Sequence, residues 1–335
     1  MMDAGDPISN DMRVTAIIPT WNRRDLLAGL LEELPRQTRP FAEILVVDNG
    51  SSDGSADCAA SMGARVIRLS RNHGFSYAVN RGVESAATGW VAVLNNDVRI
   101  APNWLEALLE QARNAGAWFA AGKLFNSSRP EQIDGAFDLL CRGGCAWRAG
   151  SGRTDSAVWS RPRRVFFVPF TAALFRRALF EKAGLLDEEF ESYLEDVEFG
   201  LRCAVQGLEG LYVPQATGRH IGSATLGDWN GETVRRIARN QLLLVAKHYP
   251  PDWWRRYGRQ VLTAQLLWGF VALRHGAGWA WLKGKWEALG RIRHRQPAVH
   301  SRLLEDVLLR SERDLRELQR QTGFDLYWRL YFSLT

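Results

Sequence analysis

Short apolar segments alternate with helical segments over the first hundred residues, and this alternation constrains the fold more than any other feature. Segments 14–19 and 90–94 are apolar enough and short enough to be buried strands. Between them, segment 23–34 repeats leucine at the spacing of one helix face. Apolar strands that alternate with helices are typical of a sheet covered on both sides. The sequence therefore predicts an α/β fold with a mixed, mostly parallel sheet between helices.

The alternation continues along the chain, with one irregular interval. In order, the further predicted elements are a strand at 44–48, a helix through Cys58 capped by Ser52 or Asp53, a strand at 65–69, a helix to about residue 87, a helix after Asn103, an irregular stretch at 115–170, helix from near Leu174, a helix over 190–205, a short strand at 210–214 before a loop, and helices from Glu232 onwards.

Composition and cysteine usage narrow the class of protein. Apolar residues make up 46% and charged residues 24% of the 335, which is typical of a globular chain and excludes a fibrous or disordered one. Four cysteines are too few for a disulfide framework. The start, MMDAGDPISNDMRV, lacks a basic segment followed by an apolar one, so we expect a reducing, cytoplasmic setting.

Charge and tryptophan are concentrated at the C-terminal end. Residues 235–335 contain 19 Lys and Arg against 8 Asp and Glu, and 7 of the 14 tryptophans. The apolar segment 261–274 is shorter than the roughly 20 residues that span a bilayer. Tryptophan and arginine beside short apolar helices are typical of an anionic membrane surface, so residues 250–296 are predicted to rest on the inner face of the membrane. A helical cap on the preceding α/β domain, with an ordinary basic surface, is the alternative.

Polar side chains follow each of the first four predicted strands. They are Thr20 and Asn22, Asp48, Asn72, and Asn95, Asn96 and Asp97. Ligands of open parallel sheets bind beyond the carboxyl ends of the strands, so one acidic, amide-rich crevice is expected there. A carboxylate repels phosphate unless a divalent cation lies between them, and Mg²⁺ and Mn²⁺ prefer oxygen ligands. Since the chain has neither GxxxxGK[ST] nor GxGxxG, a metal-bridged diphosphate is favoured.

Six motifs, in this order, resemble glycosyltransferase family 2, and within it the rhamnosyltransferase-like bacterial branch. They are PTWN at 19–22, VVDNGSSDGS at 46–55, RNHGFSYAVNRG at 71–82, LNNDV at 94–98, YLEDVEFGLR at 193–202 and GRHIGSAT at 218–225. The resemblance implies a GT-A fold and an inverting transfer from a nucleoside-diphosphate sugar, with dTDP-L-rhamnose as the favoured donor. It implies a polyprenyl-linked or saccharide acceptor and a role in cell-surface polysaccharide synthesis.

Site residues are carried over by position from the resemblance. The nucleotide-binding set is Pro19, Thr20, Asn22, Asp48, Asn72, Asn80, Asn95 and Asn96, with Asp48 on the base and Asn72 and Asn80 bordering the donor cleft. Asp97 and His220 match the positions of metal ligands for Mg²⁺ or Mn²⁺. Asp196, beside Glu195, matches the catalytic base.

The chemistry of inversion agrees with these roles. Direct displacement needs one general base for the acceptor hydroxyl and a cation to neutralise the departing diphosphate. Repulsion among Glu195, Asp196 and Glu198 is expected to raise at least one pKa and so favour a base. The metal motif starts with asparagine, so Asp97 is its one carboxylate and metal binding depends more on His220.

The predicted organisation has three parts: a flexible N-terminus at 1–12, a catalytic domain at 13–232 and a helical, basic region at 233–335. The catalytic domain divides into a nucleotide-binding half, 13–100, and an acceptor half, 101–232. Leucines 304, 308, 315 and 318 have heptad-like spacing, which predicts helix packing or a homodimer seam.

Other functions remain as alternatives. They are a transferase that uses a UDP-sugar, a sugar nucleotidyltransferase, a non-catalytic sugar-nucleotide binder, and a nucleic-acid- or membrane-binding protein that uses the basic tail. The chain lacks the glycine-rich loop that a nucleotidyltransferase needs after the first strand. Nucleic acid leaves the acidic crevice unexplained, so no nucleic-acid partner is expected.

Overall fold

The computed structural model describes residues 11–221, 229–292 and 301–335. The strands are β1 (Val14–Thr20), β2 (Glu43–Asp48), β3 (Arg65–Arg68), β4 (Trp90–Leu94), β5 (Val98–Ile100), β6 (Phe119–Asn126), β7 (Ile133–Gly135), β8 (Asp138–Leu140), β9 (Ala146–Arg148), β10 (Arg163–Val165), β11 (Ala172–Arg176) and β12 (Gly210–His220). The helices are α1 (Arg24–Glu33), α2 (Ser55–Ser61), α3 (Phe75–Ser85), α4 (Trp104–Asn114), α5 (Arg177–Ala183), α6 (Glu195–Ala204), α7 (Gly231–His248), α8 (Trp253–Arg274), α9 (Gly278–Ile292), α10 (Ser301–Thr322) and α11 (Leu326–Leu334).

The central sheet is mixed and flanked by helices, as the sequence predicts, with four parallel and five antiparallel strand pairings among the described residues. Its order is β10-β12-β6-β11-β4-β1-β2-β3, with β5 paired to β12 and β7 to β6. Strands β3, β2, β1 and β4 run parallel, and β12 is parallel to β6. Strand β11 lies between β4 and β6 and is antiparallel to both.

Both faces of the sheet are buried. In β1, Ile17 packs into one apolar cluster, whereas Ala16 and Ile18 pack into another on the opposite face, because successive side chains of a strand alternate. Helices α1 and α4 cover the second face through Leu27, Leu105 and similar residues. Burying each such side chain contributes about 1.5–3 kcal/mol, so the two-sided covering stabilises the sheet edge on which the polar residues lie.

Two predictions in the second half of the chain are wrong. The residues near Leu174 form β11 rather than a helix, and the strand predicted at 210–214 extends to His220. A five-residue apolar segment has no period that separates strand from helix, and pairing with β4 and β6 decides for strand. The predicted loop after 214 instead pairs with β6 and β5 after an irregularity between Tyr212 and Thr217.

The segment 190–205 is not one helix, because α6 begins only at Glu195. Before it, Glu191, Tyr193 and Leu194 have φ angles of 60°, 71° and 67°. This left-handed conformation is costly for non-glycine residues and interrupts the helix. The helix after β2 also differs in its cap: it begins after Gly54, while the Asp53 side chain accepts from the amides of Ser55 and Arg24.

The C-terminal helices pack in the same apolar clusters as residues 13–232. Leu315 and Trp328 pack in the cluster that contains Ile17, and Leu243 packs with Val197 of α6. The leucines at 304, 308, 315 and 318 are buried within the chain itself, so internal packing explains their spacing. Within the described residues, no helix is both long and apolar enough to cross a membrane. Three parts of the predictions lie outside the described residues: 1–10 of the N-terminus, 222–225 of the motif GRHIGSAT and 293–296 of the membrane segment.

Candidate active site

A cleft of about 1220 Å³ opens at the carboxyl ends of the central strands. Nine of the twelve predicted site residues line it: Pro19, Thr20, Asn72, Asn95, Asn96, Asp97, Glu195, Asp196 and His220. These residues come from the ends of β1, β4 and β12, the loop after β3 and the start of α6. The structure therefore brings one sheet edge and one helix start together around a single cavity.

The turn after β4 is held against β1 and β11. The Asn96 side chain donates to the Thr20 hydroxyl at 2.8 Å, and the Asn95 amide donates to the Thr171 carbonyl at 2.8 Å. The side-chain oxygen of Asn95 is buried and has no hydrogen-bond partner among the described residues. A buried oxygen without a partner is costly, so it is a candidate acceptor for a ligand donor.

Asn49, which the sequence analysis did not single out, fixes the loop that carries Asn72. Its side-chain amide donates to the Asn72 side-chain oxygen and to the Gly74 carbonyl, both at 3.0 Å. Its own oxygen accepts from the His73 amide at 2.9 Å. Asn49 directly follows Asp48 at the end of a predicted strand, so its position in the motif could have identified it as a site residue.

Three predicted nucleotide-binding residues do not line the cleft. Asn22 bridges the first two strand ends. Its side-chain oxygen accepts from the backbone amide of Ser52 at 2.8 Å, and its backbone amide donates to the Ser51 hydroxyl. Asp48 is buried and accepts from the Ser51 amide.

Asn80 is buried in α3 and exchanges hydrogen bonds with the Leu186 backbone at 2.9 Å. Its amide also donates to Glu188, so both ends of the side chain are engaged in the connection that leads to α6. Asn80 does not line the cleft, contrary to the expectation that it borders the donor. Its side chain instead joins α3 to the segment between α5 and α6.

Asp97 and His220 face each other at one side of the cleft. The antiparallel pairing of β5 with β12 sets His220 opposite Val98, and Nε2 of His220 lies 3.3 Å from Oδ1 of Asp97. Nδ1 of His220 lies 2.8 Å from Oδ2 of Asp134. Although burial opposes the charged imidazole, hydrogen bonds to Asp134 and Asp97 raise the pKa of His220 to about 9.

This pair fits a divalent cation. Two ligands of an octahedral Mg²⁺ or Mn²⁺, each about 2.1 Å from the ion, lie about 3 Å apart. With a pKa of about 9, the imidazole donates from both nitrogens, and a cation would take the place of the Nε2 proton beside Asp97. The Nδ1–H donated to Asp134 would then orient the ring, as it does in metal-bound histidines. In the described part of the chain, no three His, Cys, Asp or Glu side chains form a complete site. A cation held by this pair would need substrate oxygens and water as its other ligands.

A second acidic group surrounds the start of α6. Nη2 of Arg148 lies 3.5 Å from Oδ2 of Asp196, and Nε of Arg148 lies 3.3 Å from Oδ1 of Asp138. Burial, reinforced by the charge of Asp138, raises the pKa of Asp196 to about 7, while Arg148 acts in the opposite direction. Burial and the neighbouring Asp196 also raise the pKa of Glu195. An Asp that titrates near neutrality is suited to general-base catalysis.

Glu198 does not belong to this group, contrary to the expectation of three mutually repelling carboxylates. It is fully buried and lies 2.9 Å from Nε2 of His248 and 3.0 Å from Nζ of Lys247. Burial opposes ionisation, but these cations and Arg202 lower the pKa of Glu198. The raised pKa values at 195 and 196 therefore come first from burial, and Glu198 holds α6 to α7.

Helix α7 also holds the strained loop that precedes α6. The Asn240 side chain donates to the carbonyls of Phe190 and Tyr193 at 2.8 and 2.7 Å. Arg239 is almost fully buried and donates to Glu191 at 2.9 Å. Strained residues persist only where their surroundings enforce them, and here α7 supplies that constraint.

Sequence reasoning missed Asp134, Asp138 and Arg148, which lie in the stretch 115–170 on three-residue strands. Such strands are too short to show a hydrophobic period. Sequence reasoning also missed Arg239 and Asn240, which are buried in α7 beside apolar residues such as Leu243.

Comparisons with known proteins identify the family of this chain. Residues 15–184 match the family model described as Glycosyl transferase family 2. The O-antigen biosynthesis protein RfbC of Myxococcus xanthus is 31% identical over 231 residues, 65% of this chain and 18% of that protein. An N-acetylglucosaminyl-diphospho-decaprenol L-rhamnosyltransferase of Mycobacterium tuberculosis is 26% identical over 283 residues, 76% of this chain and 91% of that protein.

Solved structures share the fold. The mannosyltransferase PcManGT of Pyrobaculum calidifontis, solved with GDP-Man and Mn²⁺, superposes with a TM-score of 0.53 at 16% identity over 99% of this chain and 89% of that one. GalNAc-T7, solved with UDP, GalNAc and Mn²⁺, superposes with a TM-score of 0.59 at 17% identity, and the match covers 78% of this chain and 51% of that one. The GT-A fold that the motifs implied is confirmed.

Proposed function

Since this chain belongs to glycosyl transferase family 2, we propose that it is an inverting transferase that moves a sugar from a nucleoside-diphosphate sugar to a lipid-linked or saccharide acceptor. One observation carries the proposal: a single cleft holds the Asp97–His220 pair and the buried Asp196 on separate elements. One carboxylate beside the leaving group and one distant base suffice for a single displacement.

Asp196 is the proposed general base. Its carboxylate accepts the acceptor hydroxyl proton while the acceptor oxygen bonds to the anomeric carbon and the bond from that carbon to the diphosphate oxygen breaks. The electron pair of the broken bond leaves with the nucleoside diphosphate, so attack from the opposite side inverts the configuration. Arg148 orients the carboxylate and favours its charged form. Glu195 extends the acidic surface beside it.

Asp97 and His220 are the proposed holders of Mg²⁺ or Mn²⁺. Bound there, the cation neutralises the charge that develops on the departing diphosphate. Asp134 accepts from His220 and so fixes the ring orientation towards Asp97. The presence of Mn²⁺ in the structures of PcManGT and GalNAc-T7 supports this assignment.

The proposed donor pocket is the polar end of the cleft, lined by Pro19, Thr20, Asn72, Asn95 and Asn96. The donor we favour is dTDP-L-rhamnose, supported by the mycobacterial relative whose name specifies L-rhamnosyl transfer. A UDP-sugar is the alternative. The same relative, named for a decaprenol-linked substrate, supports a lipid-linked acceptor and a role in cell-surface polysaccharide synthesis.

We further propose that the protein works at the inner face of the membrane. Helices α8 and α9 expose nine large apolar side chains, and all of them except Trp254 are here called the membrane face: Leu262, Leu266, Phe270, Leu273, Trp279, Leu282, Trp286 and Leu289. Arg259, Arg274 and Lys283 are exposed beside them. An apolar stripe flanked by cations suits an anionic lipid surface, where each cation contributes about 1 kcal/mol.

Calorimetric titration with UDP, dTDP and GDP, each with and without Mn²⁺, tests the donor site first. We expect one nucleotide to bind more tightly with the ion, and that nucleotide identifies the donor base. The corresponding nucleotide sugar is then tested for slow transfer to water. If no nucleotide binds under either condition, the proposed transferase function is wrong.

A further inference from the structure

The cleft has two chemically different ends. The end at the sheet edge is lined by amides and carboxylates, as described above. The other end, formed by the C-terminal helices, is lined by Trp229, Val234, Ile237 and Trp268. No part of the proposed donor chemistry uses these four apolar side chains.

The apolar end is built from tightly packed helices. Val234 of α7 and Trp268 of α8 belong to one cluster with Ala272, Ala277 and Trp281. The Trp229 ring stacks on His275 with centroids 3.9 Å apart and planes 4° from parallel. These contacts hold the walls in place before any ligand binds.

Polar side chains of α7 at this end are already engaged with other residues of the chain. Glu232 accepts from Arg236 at 2.6 Å and from Arg235 at 2.8 Å. Gln241 accepts from Lys285 at 3.1 Å. A saccharide needs unengaged donors and acceptors, whereas an aliphatic chain needs none, so this end suits a hydrocarbon better than a sugar.

The apolar end meets the membrane face at the α8–α9 turn. Trp268 lines the cleft, whereas Phe270, two positions later on α8, is 62% exposed on the opposite side of the helix. Leu273 near the end of α8 and Trp279 at the start of α9 are 66% and 80% exposed. Trp229, which lines the cleft, stacks on His275 in the turn between these two residues. The turn therefore carries exposed apolar side chains next to a residue that contacts the cleft wall.

We propose that the apolar end of the cleft binds the lipid of a lipid-linked acceptor, namely the isoprenoid units next to its diphosphate, which enter around the α8–α9 turn. This inference rests on the proposed function, because only a transferase with such an acceptor needs a hydrocarbon subsite beside Asp196. The saccharide at the other end of the acceptor then lies towards the base and the donor.

Farnesyl diphosphate, a short isoprenoid diphosphate, is the probe. Calorimetric titration without divalent cation compares its binding to the full chain, to Trp268→Ala and to Trp229→Ala, with inorganic diphosphate as the headgroup control. We expect the dissociation constant for farnesyl diphosphate to rise at least tenfold in both variants, and inorganic diphosphate to bind much more weakly than farnesyl diphosphate throughout.

Trp254→Ala is the matched control, since Trp254 is 61% exposed and lies roughly 21 Å from Trp268 along α8. Its affinity for farnesyl diphosphate should match that of the unmodified chain. Trp229 lies outside the helices, so its variant keeps the test open if Trp268→Ala unfolds.

Equal affinity of all variants, or no binding of farnesyl diphosphate to the unmodified chain, overturns the inference. Titration of the same preparations with the nucleotides and Mn²⁺ separates the two proposals. Nucleotide binding without isoprenoid binding contradicts only the lipid subsite, whereas isoprenoid binding without nucleotide binding contradicts only the transferase.

Discussion

The side-chain amide of Asn240 donates to the backbone carbonyl of Tyr193 at 2.7 Å, and this contact joins α7 to the loop that precedes α6. Tyr193 has a φ of 71° and lies three residues before Asp196. The same amide also contacts Phe190 and Ser192. The position of the proposed base therefore depends on a helix that is remote from it in sequence.

Asn240→Ala should lower kcat about 10- to 100-fold, because a misplaced general base slows the chemical step. Nucleotide affinity should stay within about twofold of that of the unmodified chain. The free energy of unfolding should also fall by about 1–3 kcal/mol, since buried carbonyls lose their donor. Steady-state kinetics and urea unfolding measure both. Gln321→Ala, on the exposed side of α10, is the control and should change neither. A variant that loses only stability would show that Asn240 has no positioning role.

Asp196→Asn should reduce transfer by roughly 10²–10⁴-fold, the contribution typical of a general base. Donor affinity should stay nearly constant, because Asp196 lies on the acceptor side of the proposed reaction. Glu195→Gln serves as the comparison, and its rate of transfer should fall less than that of Asp196→Asn, since Glu195 is assigned a supporting role. Loss of nucleotide binding in Asp196→Asn would contradict its assignment as the base.

The pH dependence of kcat/KM should follow the ionisation of Asp196. Burial raises the pKa of Asp196 to about 7, and the base works only when charged, so kcat/KM should rise as pH increases through about 7. Arg148→Met removes a cation that favours the charged carboxylate, so the midpoint should move to higher pH. Arg148→Lys keeps a cation at this position, so its midpoint should lie between those of the unmodified chain and Arg148→Met. An unchanged midpoint in Arg148→Met would show that another group controls the profile.

Asp97→Ala should remove most of the Mn²⁺-dependent gain in nucleotide affinity, because the chain then loses its one carboxylate at the proposed ion. Asp134→Asn should reduce metal affinity by about 10- to 100-fold, the cost typical of losing a residue that orients a ligand. Titrations with and without Mn²⁺ measure both effects. Glu110→Gln, on the exposed part of α4, is the control. A normal metal response in Asp97→Ala would exclude Asp97 from the site.

Liposome flotation tests the membrane face. The triple variant Leu266→Ser, Phe270→Ser, Trp286→Ser should lose binding to anionic vesicles, since three exposed apolar side chains no longer enter the interface. Deletion of 250–335 is unsuitable, because α10 and α11 contribute buried residues to the main core.

The control replaces exposed leucines on the other C-terminal helices, Leu303→Ser and Leu326→Ser, and should still float. Vesicles of neutral lipid should bind the unmodified chain less tightly, because Arg259, Arg274 and Lys283 then lack anionic partners. Equal flotation of all three proteins would remove the membrane face from the proposed function.

Local sequence was sufficient to predict that polar residues meet at one edge of the sheet. Thr20, Asn96 and Asp97 follow two predicted strands that lie next to each other and run parallel in the structure. The carboxyl ends of parallel neighbours meet at one edge, so their polar residues come together without any further contact. The order of the motifs predicts a base at the start of α6, and Asp196 there lines the same cleft.

Residues whose position depends on long-range pairing were beyond local patterns. Leu174 lies in a strand because β4 and β6 flank it, and Arg148 reaches Asp196 because a three-residue strand ends there. Such segments are too short for their own periodicity to identify them.

The sequence by itself determined the alternation of elements and the edge at which polar residues gather, because these depend on residues close together in the chain. The GT-A fold followed from the resemblance that the motifs carry. Only the tertiary structure decided the chemistry of those residues. The pKa of Asp196 depends on burial, Asp138 and Arg148, and its position depends on Asn240, all from distant segments. Burial and charge act through distance in space, which a linear pattern does not encode.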